Sequence, residues 1–133
     1  MKKILIPALC LMLALFGCTP KADKATAAAS GFLTAFFAMD IDRASSFCSD
    51  DIAAMLRDTI AEADYPSQEI RAKVVEASKN TTFKILSTEQ LEESGEYEVK
   101  YEIHPYGAPK SAAIPRTMRI TRSGSAWKIT ALE

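Results

Sequence analysis

Few side chains in this sequence of 133 residues could carry chemistry: one histidine, His104, three cysteines, Cys10, Cys18 and Cys48, and a group of aspartates at Asp40, Asp42, Asp50 and Asp51. His104 precedes Pro105, and nothing nearby in sequence supplies a nucleophile or an orienting carboxylate. It is therefore expected as an exposed loop residue rather than a general base. The aspartates lack the Asp-x-Asp-x-Asp-Gly spacing and the distal glutamate of a calcium loop, so helix capping and solvation are the expected roles. Cys48 stands in "ASSFCSDD" beside Phe47 with no CxxC and no Cys or His partner. That setting suits a small buried hydrophobe, with a reactive or intermolecular thiol as the alternative. There is no Gly-rich phosphate loop, no GxSxG elbow and no HExxH.

An isomerase site would need a carboxylate base in a dry pocket opposite acidic hydrogen-bond donors. Tyr97 and Tyr101 could serve as donors, but Glu96, Glu98 and Glu102 fall on the opposite parity of the same segment. The faces of Glu89 and Glu92 stay open at this point. The reading is accordingly of a chain that is not an enzyme, with no catalytic residue, cofactor or metal assigned.

The sharper signal lies at the N-terminus. Met1-Lys2-Lys3 is a short positive start, Ile4 to Phe16 is an uncharged run of 13 residues, and Gly17 precedes Cys18. This is the layout of a secretory signal. A membrane span needs about 20 apolar residues, so the run, which also holds Pro7, falls short of a retained anchor. Leu15-Phe16-Gly17-Cys18 resembles the lipobox of bacterial lipoproteins. The resemblance implies a diacylglyceryl group on the Cys18 thiol, palmitate-type acylation, and cleavage that makes Cys18 the new N-terminus. Each buried methylene would contribute about 0.8 kcal/mol to attachment. Thr19, where an aspartate would resemble an inner-membrane retention signal, implies the outer membrane facing the periplasm if the organism is Gram-negative. A cysteine that only ends a signal peptide is the plainer alternative.

Removing residues 1–17 leaves 116 residues with 14 basic and 17 acidic side chains, a formal net charge of −3. Without a basic excess or an aromatic and Arg-rich stretch, nucleic acid is set aside as a partner. Only Cys48 then remains beyond the lipidated cysteine, so no intramolecular disulfide can form.

The elements that must position these residues change character midway. Residues 18–27 read as the lipidated cysteine and a short tether, and 28–133 as a single domain. Helix is expected from about Ala22 to Met39, with Ala25, Ala29, Phe32, Leu33, Phe36 and Phe37 on one face. A short helix capped by Asp42 should hold Ala44, Phe47 and Cys48. The next, capped by Ser49 or Asp50, should share a face of Ile52, Met55, Leu56, Thr59, Ile60 and Ala63 and end at Tyr65-Pro66. Ser67 should cap a further helix carrying Ile70, Val74 and Ala77.

Beyond it the period becomes two. "TFKILSTEQLEE" reads as a strand. In "GEYEVKYEIHP", Tyr97, Val99, Tyr101 and Ile103 alternate with charged residues. "PRTMRITRSGSAWKITALE" reads as two strands joined at Ser123-Gly124, with Met118, Ile120, Trp127 and Ile129 inward. "HPYGAPKSAAIP" should be a loop. Glu96, Glu98 and Glu102 should face Arg119 across the strands.

Helices followed by antiparallel strands define an α+β class, about four strands with the helices on one face. The order, the lead helix "ASGFLTAFFAMDIDRASSFCS" with its step from Asp40 to Ala44, and the closing "GSAWKITALE" resemble the nuclear-transport-factor-2-like, cystatin-like superfamily. Within it they resemble small bacterial lipoproteins of unknown function. The resemblance implies a strongly bent sheet curling around the long helix as a cone. In such a cone Phe32, Phe36, Phe37, Tyr97, Tyr101 and Trp127 would either line a pocket or fill the core. The expectation is a membrane-anchored, non-enzymatic protein-interaction or envelope module with an envelope protein as partner. Binding of a small apolar ligand in the cone is the alternative, and an isomerase-like enzyme is the second.

Overall fold

A computed structural model describes residues 21–61, 65–91 and 95–133. The signal segment 1–17, Cys18, and the expected positions of Ala63 and Glu92 lie outside the described residues. Among those described, four α-helices precede a four-stranded antiparallel sheet, an α+β arrangement. No described helix is long and apolar enough to cross a membrane.

Helix α1, Lys21–Phe37, is built on six alanines, the strongest helix former, with Phe32, Leu33, Phe36 and Phe37 supplying its bulky apolar residues. It buries Ala25, Ala28, Ala29, Phe32, Leu33 and Ala35, and it touches all four strands. Ala25, inside the stretch read as tether, has no exposed surface. The alanines bring the helix axis close to the sheet, and Phe32 and Leu33 fill the space beyond them. Gly31 faces α2, where an added Cβ would lie 2.5 Å from the tip of the Phe47 ring.

The helix ends in a left-handed turn at Met39, φ 63°. Met39 N–H bonds Phe36 O at 3.0 Å, and Asp40 N–H bonds Ala35 O at 2.9 Å, the paired bonds of a Schellman stop. That position usually carries glycine, because a Cβ there crowds the backbone.

Asp40 then caps α2, Ile41–Ser46, by accepting a hydrogen bond from Arg43 N at 3.2 Å. The cap is thus Asp40 and not Asp42, which sits in the first turn. Phe47 and Cys48 lie past the helix end rather than within it. Cys48 forms an isolated parallel bridge to Ile129, in which Ile129 N–H bonds Phe47 O at 2.8 Å and Ser49 N–H bonds Ile129 O at 2.9 Å. This covers part of a sheet edge that would otherwise be open to pairing.

Helix α3, Asp50–Ala61, buries Ala53 and Leu56 and half-buries Ile52 and Ile60. Met55, expected on the same face, is 47% exposed, and Thr59 points outward, where its hydroxyl bonds Met55 O. Helix α4, Gln68–Asn80, is capped by Ser67 as the sequence predicts, its side chain accepting from Ile70 N at 3.2 Å. No residue of α4 is buried, and Ile70 and Val74 are exposed. Ser78 Oγ, donating to Phe37 O at 2.9 Å, ties it to α1.

Strands β1, Thr82–Gln90, β2, Glu96–His104, β3, Ile114–Ser123, and β4, Ala126–Leu132, pair in sequence order. Val99, Met118, Ile120 and Ile129 are fully buried under α1, beside Tyr97 and Tyr101. Two register shifts interrupt the alternation. One between Ile85 and Ser87 puts Leu86 in solvent, and one on β4 opposite Arg119 and Ile120 re-aims its end so that Leu132 pairs with Met118. Such bulges change which face later residues occupy.

The connection from β2 to β3 is shorter than the expected loop. A 3-10 turn at Lys110–Ala112 leads into β3 at Ile114, and Pro115 pairs with Glu102. Pro115 has the same orientation as Thr117, whose N–H and C=O both bond Glu133. No described strand lies beside Pro115 on that side, so the missing N–H costs the ladder nothing.

The outer face of the sheet is charged. Glu98 stands opposite Arg119, which lies 3.6 Å from Glu96 and 3.9 Å from Glu133. The expected pairing with Arg119 is present for Glu96 and Glu98, whereas Glu102 stands opposite Pro115 and beside His104; exposure limits each pair to about 1 kcal/mol or less.

Candidate functional site

A cavity of about 240 Å³ lies between α1, α3 and the inner face of the sheet. Phe32, Leu33, Phe36 and Phe37 reach it from α1 and Leu56 from α3. Tyr101 and Ile103 come from β2, Arg116 from β3, and Leu132 and Glu133 from the end of β4. The 3.6-residue period explains the first set: positions 32, 33, 36 and 37 share one side of the helix. Their rings interlock, Phe32 on Phe36 at 5.7 Å and Phe36 edge-on to Phe37 at 5.4 Å, with Phe37 stacked on Phe83 at 6.4 Å. Phe36 and Phe37 stay only partly buried, because they wall the opening rather than plug it.

The aromatic set named from sequence divides in two. Phe32, Phe36, Phe37 and Tyr101 come together at the cavity. Tyr97 and Trp127 do not reach it. They pack edge to face at 5.4 Å further along the sheet, with the Arg122 guanidinium 6.0 Å from the Trp127 ring.

Leu33, Leu56, Ile103, Leu132 and Arg116 complete the lining. Arg116 had a readable signal, since Ile114, Arg116, Met118 and Ile120 alternate along one strand face. The strand reading named only Met118 and Ile120 as inward there and passed over it.

Arg116 and Tyr101 are cross-strand partners on the inner face. Burial pushes the Tyr101 phenol above the ordinary tyrosine value, and the nearby Arg116 charge offsets part of that rise. Among the described residues the Tyr101 hydroxyl has no hydrogen-bond partner, and Arg116 has no carboxylate within ion-pair distance. Its Nη1 donates to Pro115 O at 3.1 Å. The carboxylate of Glu133, the acidic residue on the rim, is directed to Arg119, 3.9 Å away. The site thus combines an apolar body, a phenolic donor and a cation at the mouth.

The other chemistry-bearing residues lie elsewhere. His104 ends β2 on the outer face, half-buried rather than in a loop, and its Nε2 is 3.5 Å from Glu102. A carboxylate is therefore at hand there, contrary to the sequence reading, because residues two apart on a strand share a face. Glu89 also faces outward, opposite Glu98. Asp40 is a cap, and Asp42, Asp50 and Asp51 occupy first helical turns, where they favour the helix N-terminus. No cluster of three metal-ligating side chains occurs among the described residues.

Cys48 is buried, its thiol donating to Ala44 O at 3.4 Å. Burial raises it to about 11, with Lys128 acting in the opposite sense. Wider hollows exist, such as one of about 450 Å³ beside α4, but that one is open and edged by Gln68, Arg71, Glu76 and Lys79. Neither a protein-family model, a curated protein nor a solved structure matches the chain.

Proposed function

We propose that the chain is an exported bacterial lipoprotein, anchored through Cys18, whose domain acts by binding rather than by catalysis. We further propose that its seat is the cavity under α1, at the wide end of a cone-like sheet. The observation that carries the binding reading is the cavity itself. Three phenylalanines, three leucines, an isoleucine and a tyrosine line an apolar cleft, the kind of concave, mostly apolar surface that small-molecule sites use. Its volume is below that of drug-sized pockets, which begin near 300 Å³, so the ligand is small. The Leu-Phe-Gly-Cys sequence at 15–18 supports the anchor.

A small neutral probe tests the seat. Toluene added to the intact protein should shift the methyl resonances of Leu33, Leu56 and Ile103, and no shift would mean a closed core. For the anchor, Cys18→Ser should abolish incorporation of labelled fatty acid and release the protein from membranes, whereas unchanged attachment would reject lipidation. A second reading, an envelope protein as partner, is supported by Ile70 and Val74, large apolar side chains left exposed on α4. Crosslinking in intact cells from Val74→Cys should then capture one dominant protein.

A further inference from the structure

The cavity has a chemical polarity that a purely apolar ligand would leave unused. We propose that its ligand is a small organic carboxylate, an apolar group of about one aromatic ring or a short alkyl chain bearing an anionic head. This rests on the cavity being a binding site, and adds what the site selects.

Three observations place the head. Arg116 occupies the inner face of β3, in line with Met118 and Ile120, both of which are fully buried. Arg116 itself is exposed, so its charged head stands in solvent at the end of that buried row. Its guanidinium has one backbone bond, to Pro115 O, and no acidic partner among the described residues, which leaves the remaining donors of its fork free. Directly across the strand pair, Tyr101 brings to the same mouth a phenolic hydroxyl that has no partner among the described residues.

A planar carboxylate matches the guanidinium fork with two parallel bonds. The Tyr101 hydroxyl donates a third. A cationic head would meet Arg116 unfavourably, and a neutral alcohol would forgo the charge-assisted pair.

The volume sets the body. At roughly 30 Å³ for a water-sized group, 240 Å³ holds about eight such groups. A phenyl ring with two methylenes fits inside, with the carboxylate at the opening. Phe32, Phe36 and Phe37 offer faces and edges to such a ring, while Leu56 and Ile103 contact its far side.

The test uses the full-length protein held in nanodiscs, observed through the Leu33, Leu56 and Ile103 methyl resonances. Three probes share one body: 3-phenylpropionate, 3-phenylpropan-1-ol and 3-phenylpropylamine. The acid should bind at least about tenfold more tightly than the alcohol, and the amine no better than the alcohol.

Arg116→Gln, at an exposed position that leaves the core intact, should bring the acid down to the level of the alcohol without weakening the alcohol. Arg116→Lys should restore part of the preference, and Tyr101→Phe should remove a smaller part. Equal affinity for acid and alcohol, or a preference that survives Arg116→Gln, would overturn the carboxylate assignment while leaving the cavity a binding site. Methyl resonances that respond to none of the three probes would overturn both.

Discussion

Helix α1 buries six residues against all four strands, whereas α4, also well capped and comparable in length, buries none. Local rules make both helical, although α1 carries three phenylalanines and a leucine where α4 is largely charged and polar. Each has a helical period of apolar positions, and α4 has a side-chain N-cap, Ser67 accepting from Ile70 N. The difference lies in what the sheet leaves uncovered. Its inner face has room for one long helix, and α1 fills it, with Leu33, Val99, Met118, Ile120 and Ile129 meeting beneath. Helix α4 lies outside that layer, held at Ser78. Capping and propensity make a segment helical, but burial decides whether that helix contributes to stability.

The strongest test of this contrast is Leu33→Ala. It should destabilise the domain by about 2 to 5 kcal/mol in urea unfolding, the cost of a cavity in a close-packed site. A loss under 1 kcal/mol would mean that the α1 layer is loosely packed.

Cys48, where the segment after α2 joins the edge of β4, comes next. Its thiol keeps its proton in the fold up to about pH 11, while in the unfolded chain it ionises near 9. The folded pKa is raised, so this contribution is full below pH 9 and is lost as pH climbs towards 11, by about 2 to 3 kcal/mol. Cys48→Ala should flatten the fall in stability between those pH values, and an unchanged slope would mean that the thiol is solvated.

Within α1 and at its stop, smaller effects of opposite sign are expected. Gly31→Ala places a Cβ against the Phe47 ring. The overpacking, about 1 to 3 kcal/mol, should outweigh the roughly 1 kcal/mol gained in helix propensity, for a net loss of about 1 kcal/mol. Met39→Gly relieves the left-handed backbone at the helix stop and should raise stability by about 0.5 to 1 kcal/mol, read as a higher thermal midpoint. Smallest of all, Val74→Ser on α4 should change stability by less than about 0.5 kcal/mol. A loss comparable to that of Leu33→Ala would dissolve the contrast between the helices.

Much of this fold could be read from residue order. The period changes from helical to alternating near Thr82, and Tyr97, Val99, Tyr101, Met118, Ile120 and Ile129 are buried where the alternation puts them. Glu96, Glu98 and Arg119 share the wet face for the same reason. The candidate site was half legible. Its helical wall followed from spacing at Phe32, Phe36 and Phe37, but Trp127 and Tyr97 were grouped with them only because they are aromatic. Tyr97 stands opposite Ile120 on β3, and its ring reaches past that strand to meet Trp127 on β4.

By itself, the order of residue types determined the α+β class, the faces of β2 and β3, the Ser67 cap and the presence of Cys18 in a lipobox-like setting. These depend on interactions between near neighbours or on a fixed period. Tertiary structure alone decided that α1 meets all four strands and that α4 is held outside that layer at Ser78. Likewise, the bulge opposite Arg119 and Ile120 turns Leu132 inward, and Arg116 stands beside Tyr101 at the mouth of an apolar cavity. Each depends on which distant segments share a surface, and a one-residue shift in strand register, invisible in local sequence, exchanges the wet face for the buried one.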